Sequence, residues 1–65
     1  MKIDEYLDTI EKLGFSAADF CKCHGISLAS LYKYKKGQPP RLHEGEKIVK
    51  ATNGTVTLKD LGILP

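Results

Sequence analysis

Glycine and proline interrupt this chain so often that only brief helices fit between the breaks. Gly14, Gly25, Gly37, the Pro39–Pro40 pair, Gly54 and Gly62 punctuate a sequence of 65 residues. The segments between them space apolar residues three and four apart, the helical period, and hold no alternating run long enough for a sheet. Ile3, Tyr6, Leu7, Ile10 and Leu13 predict one amphipathic helix from about residue 2 to residue 13, with Asp4, Glu5, Asp8 and Glu11 on its other face. Ser16 suits the N-cap of a second helix over Ala17–His24, with Asp19 as its capping-box partner, ended by Gly25. Ser27 caps a third helix, Leu28–Lys36, stopped by Gly37 and the prolines. Pro40 serves as the first residue of a fourth helix, through Leu42, Ile48, Val49 and Ala51 to Asn53–Gly54. Thr57 caps a last helical turn carrying Leu58 and Leu61. The expectation is an all-α, single-domain compact bundle of about five short helices covering 1–65.

Size narrows what such a bundle can do. A chain this short buries only about 60% of the surface its unfolded form exposes, which leaves no room for a cofactor domain or a cleft between two lobes. With 42% hydrophobic and 28% charged residues the balance is that of a globular domain, not a disordered one. Apolar runs never exceed two residues, so neither a membrane span nor a signal-peptide core is expected. Cys21 and Cys23 stand too close together to close a useful disulfide loop. These exclusions point to a cytoplasmic helical binding module.

Charge is unevenly placed. Residues 1–13 sum to −2, residues 14–41 to +4 and residues 42–65 to zero, within an overall +2. The positive excess therefore sits in the middle third, as Lys22, Lys33, Lys35, Lys36 and Arg41 against Asp19 alone. A local patch of this kind suits a polyanionic partner better than total charge does.

The same third holds two helices meeting at a short break around Gly25, the helix-turn-helix arrangement. Such a pair needs a small residue within its first helix, which Cys21 supplies, and a backbone able to reach positive φ at the turn, hence Gly25. Phe20, Ile26, Leu31 and Tyr34 are spaced as apolar anchors beneath it. At about 100° per residue, Leu31 and Tyr34 fall on one side of the third helix. Ala29, Tyr32, Lys33 and Lys36 fall on the other, with Leu28 and Lys35 at the edges. A face of small, aromatic and cationic groups suits the DNA major groove. Lysine reaches guanine acceptors or phosphate, Leu28 and Ala29 touch thymine methyls, and a tyrosine hydroxyl bonds phosphate or a base edge.

From about Ser16 to Arg41 the sequence resembles the DNA-binding core of phage Cro and repressor-type regulators, which have the lambda-repressor-like fold. The tail from Ile48 to Leu61, IVKATNGTVTLKDL, is similar to the C-terminal portion of Cro-like prophage regulators of the YdaS antitoxin type. The resemblance implies a five-helix cytoplasmic transcription regulator. Transferred by position, it implies base reading by Ser27, Leu28, Ala29, Tyr32 and Lys33. It implies phosphate contacts from Ser16, Ala17 (through its backbone N–H), Ser30, Lys35 and Lys36. Three positions depart from the family pattern. His24 stands where an aliphatic residue is usual and Cys21 where alanine is usual, and the glutamines common in Cro-type recognition helices are missing, so the relatives' operator preference does not transfer.

Other constellations carry less. Cysteines two apart on a helix point about 200° away from each other, and His43 is the only other soft ligand besides His24, so no metal and no cofactor are expected. Cys21 reads as packed, Cys23 as semi-exposed, and His24 as half-buried beside Phe20. Cys23 and His24, as neighbours, cannot face each other as nucleophile and base, so no catalytic site is expected. The expected function is sequence-specific binding of double-stranded DNA, as two copies on a pseudo-palindromic site, with no membrane or small-molecule substrate. The fourth helix and the tail Leu61, Ile63 and Leu64 are candidate dimer surfaces, with packing of that tail onto its own core the equal alternative. The rival reading is a protein-interaction module, antitoxin-like or polymerase-binding, that docks through the acidic first helix.

Overall fold

The computed structural model describes residues 1–64 and contains four helices: α1 (Ile3–Lys12), α2 (Ala17–His24), α3 (Leu28–Lys35) and α4 (Leu42–Ala51). No strand occurs among the described residues. The Cα radius of gyration is 10.5 Å, against about 11 Å for a compact chain of this length. No helix is long and apolar enough to cross a membrane.

Phe20 of α2, Leu31 of α3, Ile48 of α4 and Val56 of the tail are all but completely buried and meet in one core. Ile3 and Leu7 of α1, Cys21, Ile26 and Leu61 complete it. Phe20 is gripped from two sides: the Tyr6 ring meets it edge-on at 5.9 Å between centroids, and the half-buried His24 ring lies 4.8 Å away. Cys21 is buried, and that burial raises its thiol pKa, whereas Cys23 is exposed.

Each helix stops where the chain turns left-handed. After α1, Gly14 N–H donates to the Glu11 carbonyl at 2.9 Å and Phe15 N–H reaches back to that of Ile10 at 2.9 Å, with Gly14 at φ 90°. This reversal corrects one expectation. Leu13 belongs to the apolar spacing of α1 but falls at the C-cap, where it is 82% exposed instead of packed. After α4 the same pattern uses Asn53, at φ 53°. Pro40 also departs from its expected place. It is buried, the chain stays extended through Arg41, and α4 starts at Leu42.

The expected fifth helix is only a single turn. Leu61 N–H donates to the Thr57 carbonyl at 3.1 Å, and Gly62 ends the turn at once. Thr57 caps it as expected: its hydroxyl accepts from Asp60 N–H at 3.1 Å, and Asp60 accepts from Thr57 N–H at 3.0 Å. The tail packs back onto the body. Leu61 is buried and Ile63 half-buried against the core, which leaves only Leu64 of the three tail residues exposed.

Two residues that spacing does not mark hold this tail. Gly45 lies buried inside α4, where glycine is unfavourable by about 1 kcal/mol relative to alanine. A methyl group there would overlap Ile63 Cδ1 and stand 3.1 Å from Leu58 Cδ2, so the missing side chain is the seat of the tail. Thr52, 3% exposed, accepts from Val56 N–H at 3.1 Å and donates to the Val49 carbonyl at 3.3 Å. Thr52→Val keeps the volume but strands a buried N–H, so it should lower unfolding free energy by about 1–3 kcal/mol, read as a shifted urea midpoint.

The Met1 ammonium closes the molecule, donating to Asp60 Oδ2 at 2.9 Å and to the Thr55 carbonyl at 3.0 Å. That ammonium, with the Thr57 N–H, brings the Asp60 carboxyl down to about 2 from an ordinary 3.8. A carboxyl whose pKa is lower folded than unfolded stabilises fully above the unfolded value and loses that contribution as pH falls through the folded one. The stability advantage of the wild type over Asp60→Asn should therefore be constant between about pH 4.5 and pH 7 and shrink between about pH 4 and pH 2. Urea unfolding across that range measures it.

Candidate nucleic-acid interface

Burial of Leu31 sets the rotation of α3, and its outer face follows. The helix is joined to α2 by the turn Gly25–Ile26–Ser27, in which Gly25 adopts φ 64°, ψ 38° and Ile26 N–H donates to the Cys21 carbonyl at 3.0 Å. Ile26, 6% exposed, pins the turn to the core. Lys47 of α4 donates to the Gly25 carbonyl at 3.2 Å and ties the turn from the other side. With Leu31 inward and Tyr34 half-buried, the side chains of Ser27, Ala29, Tyr32, Lys33, Lys35 and Lys36 are exposed.

Tyr32 and Lys35 form a unit, with the Lys35 ammonium 5.9 Å from the centre of the Tyr32 ring. At that distance the attraction is worth about 0.5–1 kcal/mol on a surface, enough to bias where both side chains lie. Ser27 occupies the N-cap position of α3, but its hydroxyl makes no capping bond. The only ion pair among the described residues joins Met1 to Asp60, so the lysines of α3 carry their charge without a carboxylate partner. The outer face of α3 thus presents a polar, aromatic and cationic strip.

Not every expected contact residue lies on it. Leu28 is half-buried and packs on the core, so it offers an edge, not a whole side chain. Ser30 is half-buried, and so is Ala17, which packs on the core. Ser16 is exposed, but its hydroxyl is spent on Asp19: it donates to Oδ2 at 2.9 Å and accepts from Asp19 N–H at 3.1 Å. The Ser16 hydroxyl, followed by its N–H, lowers the Asp19 carboxyl pKa, so a carboxylate stands at the N-terminus of α2. A phosphate approaching that end meets negative charge. The Ser16 hydroxyl is thus engaged in capping α2 while its side chain stays at the surface.

One cation enters from outside the strip. Lys2 lies on a cleft of about 350 Å³ that also takes in Tyr34, Lys35 and Lys36. Summing charge along the chain assigns Lys2 to the acidic first segment, and only the tertiary fold shows its company. Elsewhere, His43, Glu46, Lys47, Val49, Lys50 and Leu58 line an open groove of mixed charge along α4, about 440 Å³ in volume. Among the described residues no three His, Cys, Asp or Glu side chains gather as a metal site would require. No protein-family model, curated protein or solved structure matches this chain.

Ser16→Ala should lower stability by about 1 kcal/mol through loss of the cap, as thermal or urea unfolding would report.

Proposed function

We propose that this chain is a sequence-specific DNA-binding transcription regulator of helix-turn-helix type. In this reading it is the Cro- and repressor-like cytoplasmic regulator, close to the YdaS type, that its sequence resembles. The observation that carries the reading is the division of α3: Leu31 is fully buried while Tyr32 is 49% exposed and Lys33 faces solvent beside it. A helix held this way by its own core can be laid into a major groove without unfolding anything.

In the proposed complex, the N-terminal half of α3 reads base edges. Ser27 and Lys33 hydrogen-bond to them, Ala29 and the exposed edge of Leu28 contact thymine methyls, and Tyr32 reaches a base or phosphate. Lys35 and Lys36 hold the backbone, with Ser30 and the Ala17 N–H at the margin. One module of this size spans few base pairs, so two copies are expected on a pseudo-palindromic site with half-sites about 34 Å apart. A body of 32 × 20 × 20 Å fits side by side with its copy at that spacing without overlap.

A second reading has one observation in its favour. Asp4, Glu5, Asp8 and Glu11 of α1 are all exposed, a surface suited to a cationic protein partner, and Leu13 just beyond the helix is 82% exposed. Measured DNA binding separates the two. Affinity for random duplex should fall linearly with salt on logarithmic axes, with slope about −0.9 per phosphate contacted. Lys33→Ala and Tyr32→Ala should relax sequence preference, by about 1–3 kcal/mol of discrimination at the affected base pair. Lys35→Ala and Lys36→Ala should weaken all sequences alike and flatten the slope. DNA retention unchanged by all four substitutions would hand the function to the interaction module.

A further inference from the structure

We infer that Lys2, Lys35 and Lys36 form a phosphate-binding cleft at the C-terminal end of α3, and that its ligand is a backbone phosphate of duplex DNA. The inference rests on the DNA reading above and adds to it a contact drawn from a distant part of the chain. Lys2 is the N-cap of α1, and Lys35 and Lys36 end α3, yet the fold sets all three around one cleft of about 350 Å³.

The charges facing the cleft favour an anion. Two carboxylates line it, Asp4 and Asp60. Asp60 is already neutralised by the Met1 ammonium at 2.9 Å. None of the three lysines has a carboxylate partner among the described residues. Against the remaining Asp4 stand three full positive charges. The end of α3 contributes only about half a negative charge through its free carbonyls, so the cleft stays net positive. Ammonium groups act as point charges on phosphate and do not require the planar fork that a guanidinium offers.

Preorganisation favours Lys2 in particular. The residue before it is anchored at both Asp60 and Thr55, and Lys2 N–H itself donates to Glu5 Oε1 at 3.4 Å. Its backbone is thereby fixed beside α3, so a phosphate contact from Lys2 does not require the ordering of a loose arm.

Titrating duplex DNA binding of Lys2→Gln against salt tests the inference, since Lys2 is exposed and its loss leaves the core untouched. The expected result is a slope less steep by about 0.9, so that the loss of affinity between 50 and 200 mM salt shrinks about threefold, equally for specific and random duplexes. Lys2→Arg should restore the slope, and Lys12→Gln, on the acidic helix but outside the cleft, should leave it unchanged. If wild-type protein binds duplex, Lys35→Ala weakens it and Lys2→Gln does not, the cleft inference fails while the DNA reading stands. If no duplex is bound at all, the DNA reading fails and takes this source of phosphate with it. A parallel titration with inorganic phosphate, followed through the amide signals of Lys2, Lys36 and Gly37, separates the sources. Saturable shifts there without any duplex binding would overturn DNA as the ligand.

Discussion

Everything on the outer surface of this protein depends on where Leu31 goes. Phe20, Leu31, Ile48 and Val56 come from four different stretches of the chain and converge on one point with almost no exposure. Full burial of side chains of this size contributes about 1.5–3 kcal/mol each. Domains this small are stable by only a few kcal/mol, so no alternative rotation that lifts Leu31 out of the core is affordable. Because successive helical residues turn by about 100°, burying Leu31 obliges Tyr32 and Lys33 to look outward. Surface chemistry is here a consequence of core packing.

Signals that act within a few residues are legible in the sequence. The boundaries of α2 come out as read, because the Ser16–Asp19 cap and the left-handed Gly25 are local devices that work before any tertiary contact forms. The outward set on α3 is legible for a related reason, since a single buried leucine phases the whole helix. Reading stops where a terminating turn or a distant segment decides. Leu13 satisfies the spacing of α1, yet the turn that ends the helix throws it into solvent. Pro40 suits a first helical position, but it is buried in an extended stretch and the helix starts only at Leu42. The tail has the cap and apolar residues of a helix but ends after one turn, at Gly62. Lys2 belongs to an acidic segment by sequence and to a cationic cleft in space. The first and third are ended by left-handed glycines, Gly14 and Gly62, whereas the place of Lys2 is settled by segments far apart in the chain.

Electrostatics divides the molecule. The exposed carboxylates of α1 and the unpaired lysines of α3 lie on two helices that pack against each other. Charge of one sign gathered on one helix raises the local potential that a strongly charged partner meets. Asp19 refines the division. By accepting from Ser16 N–H it completes the capping box of α2, and it places a negative charge where a bare helix end would attract anions. Attraction of an anion is thereby strongest at α3 and the cleft beside it, and weaker at the start of α2.

Gly45 shows how closely α4 and the tail are matched. A residue that weakens its own helix is retained as a socket, and the pieces filling it are Ile63 and Leu58, contributed from beyond the helix. Positions 45, 58 and 63 consequently behave as a single unit under substitution: a combinatorial library that varied them one at a time would return mostly losses, whereas enlarging the first while trimming the others could yield compensated sets. Homologous chains, if aligned, should show covariation among these three sites, with bulk gained at one matched by bulk surrendered at another.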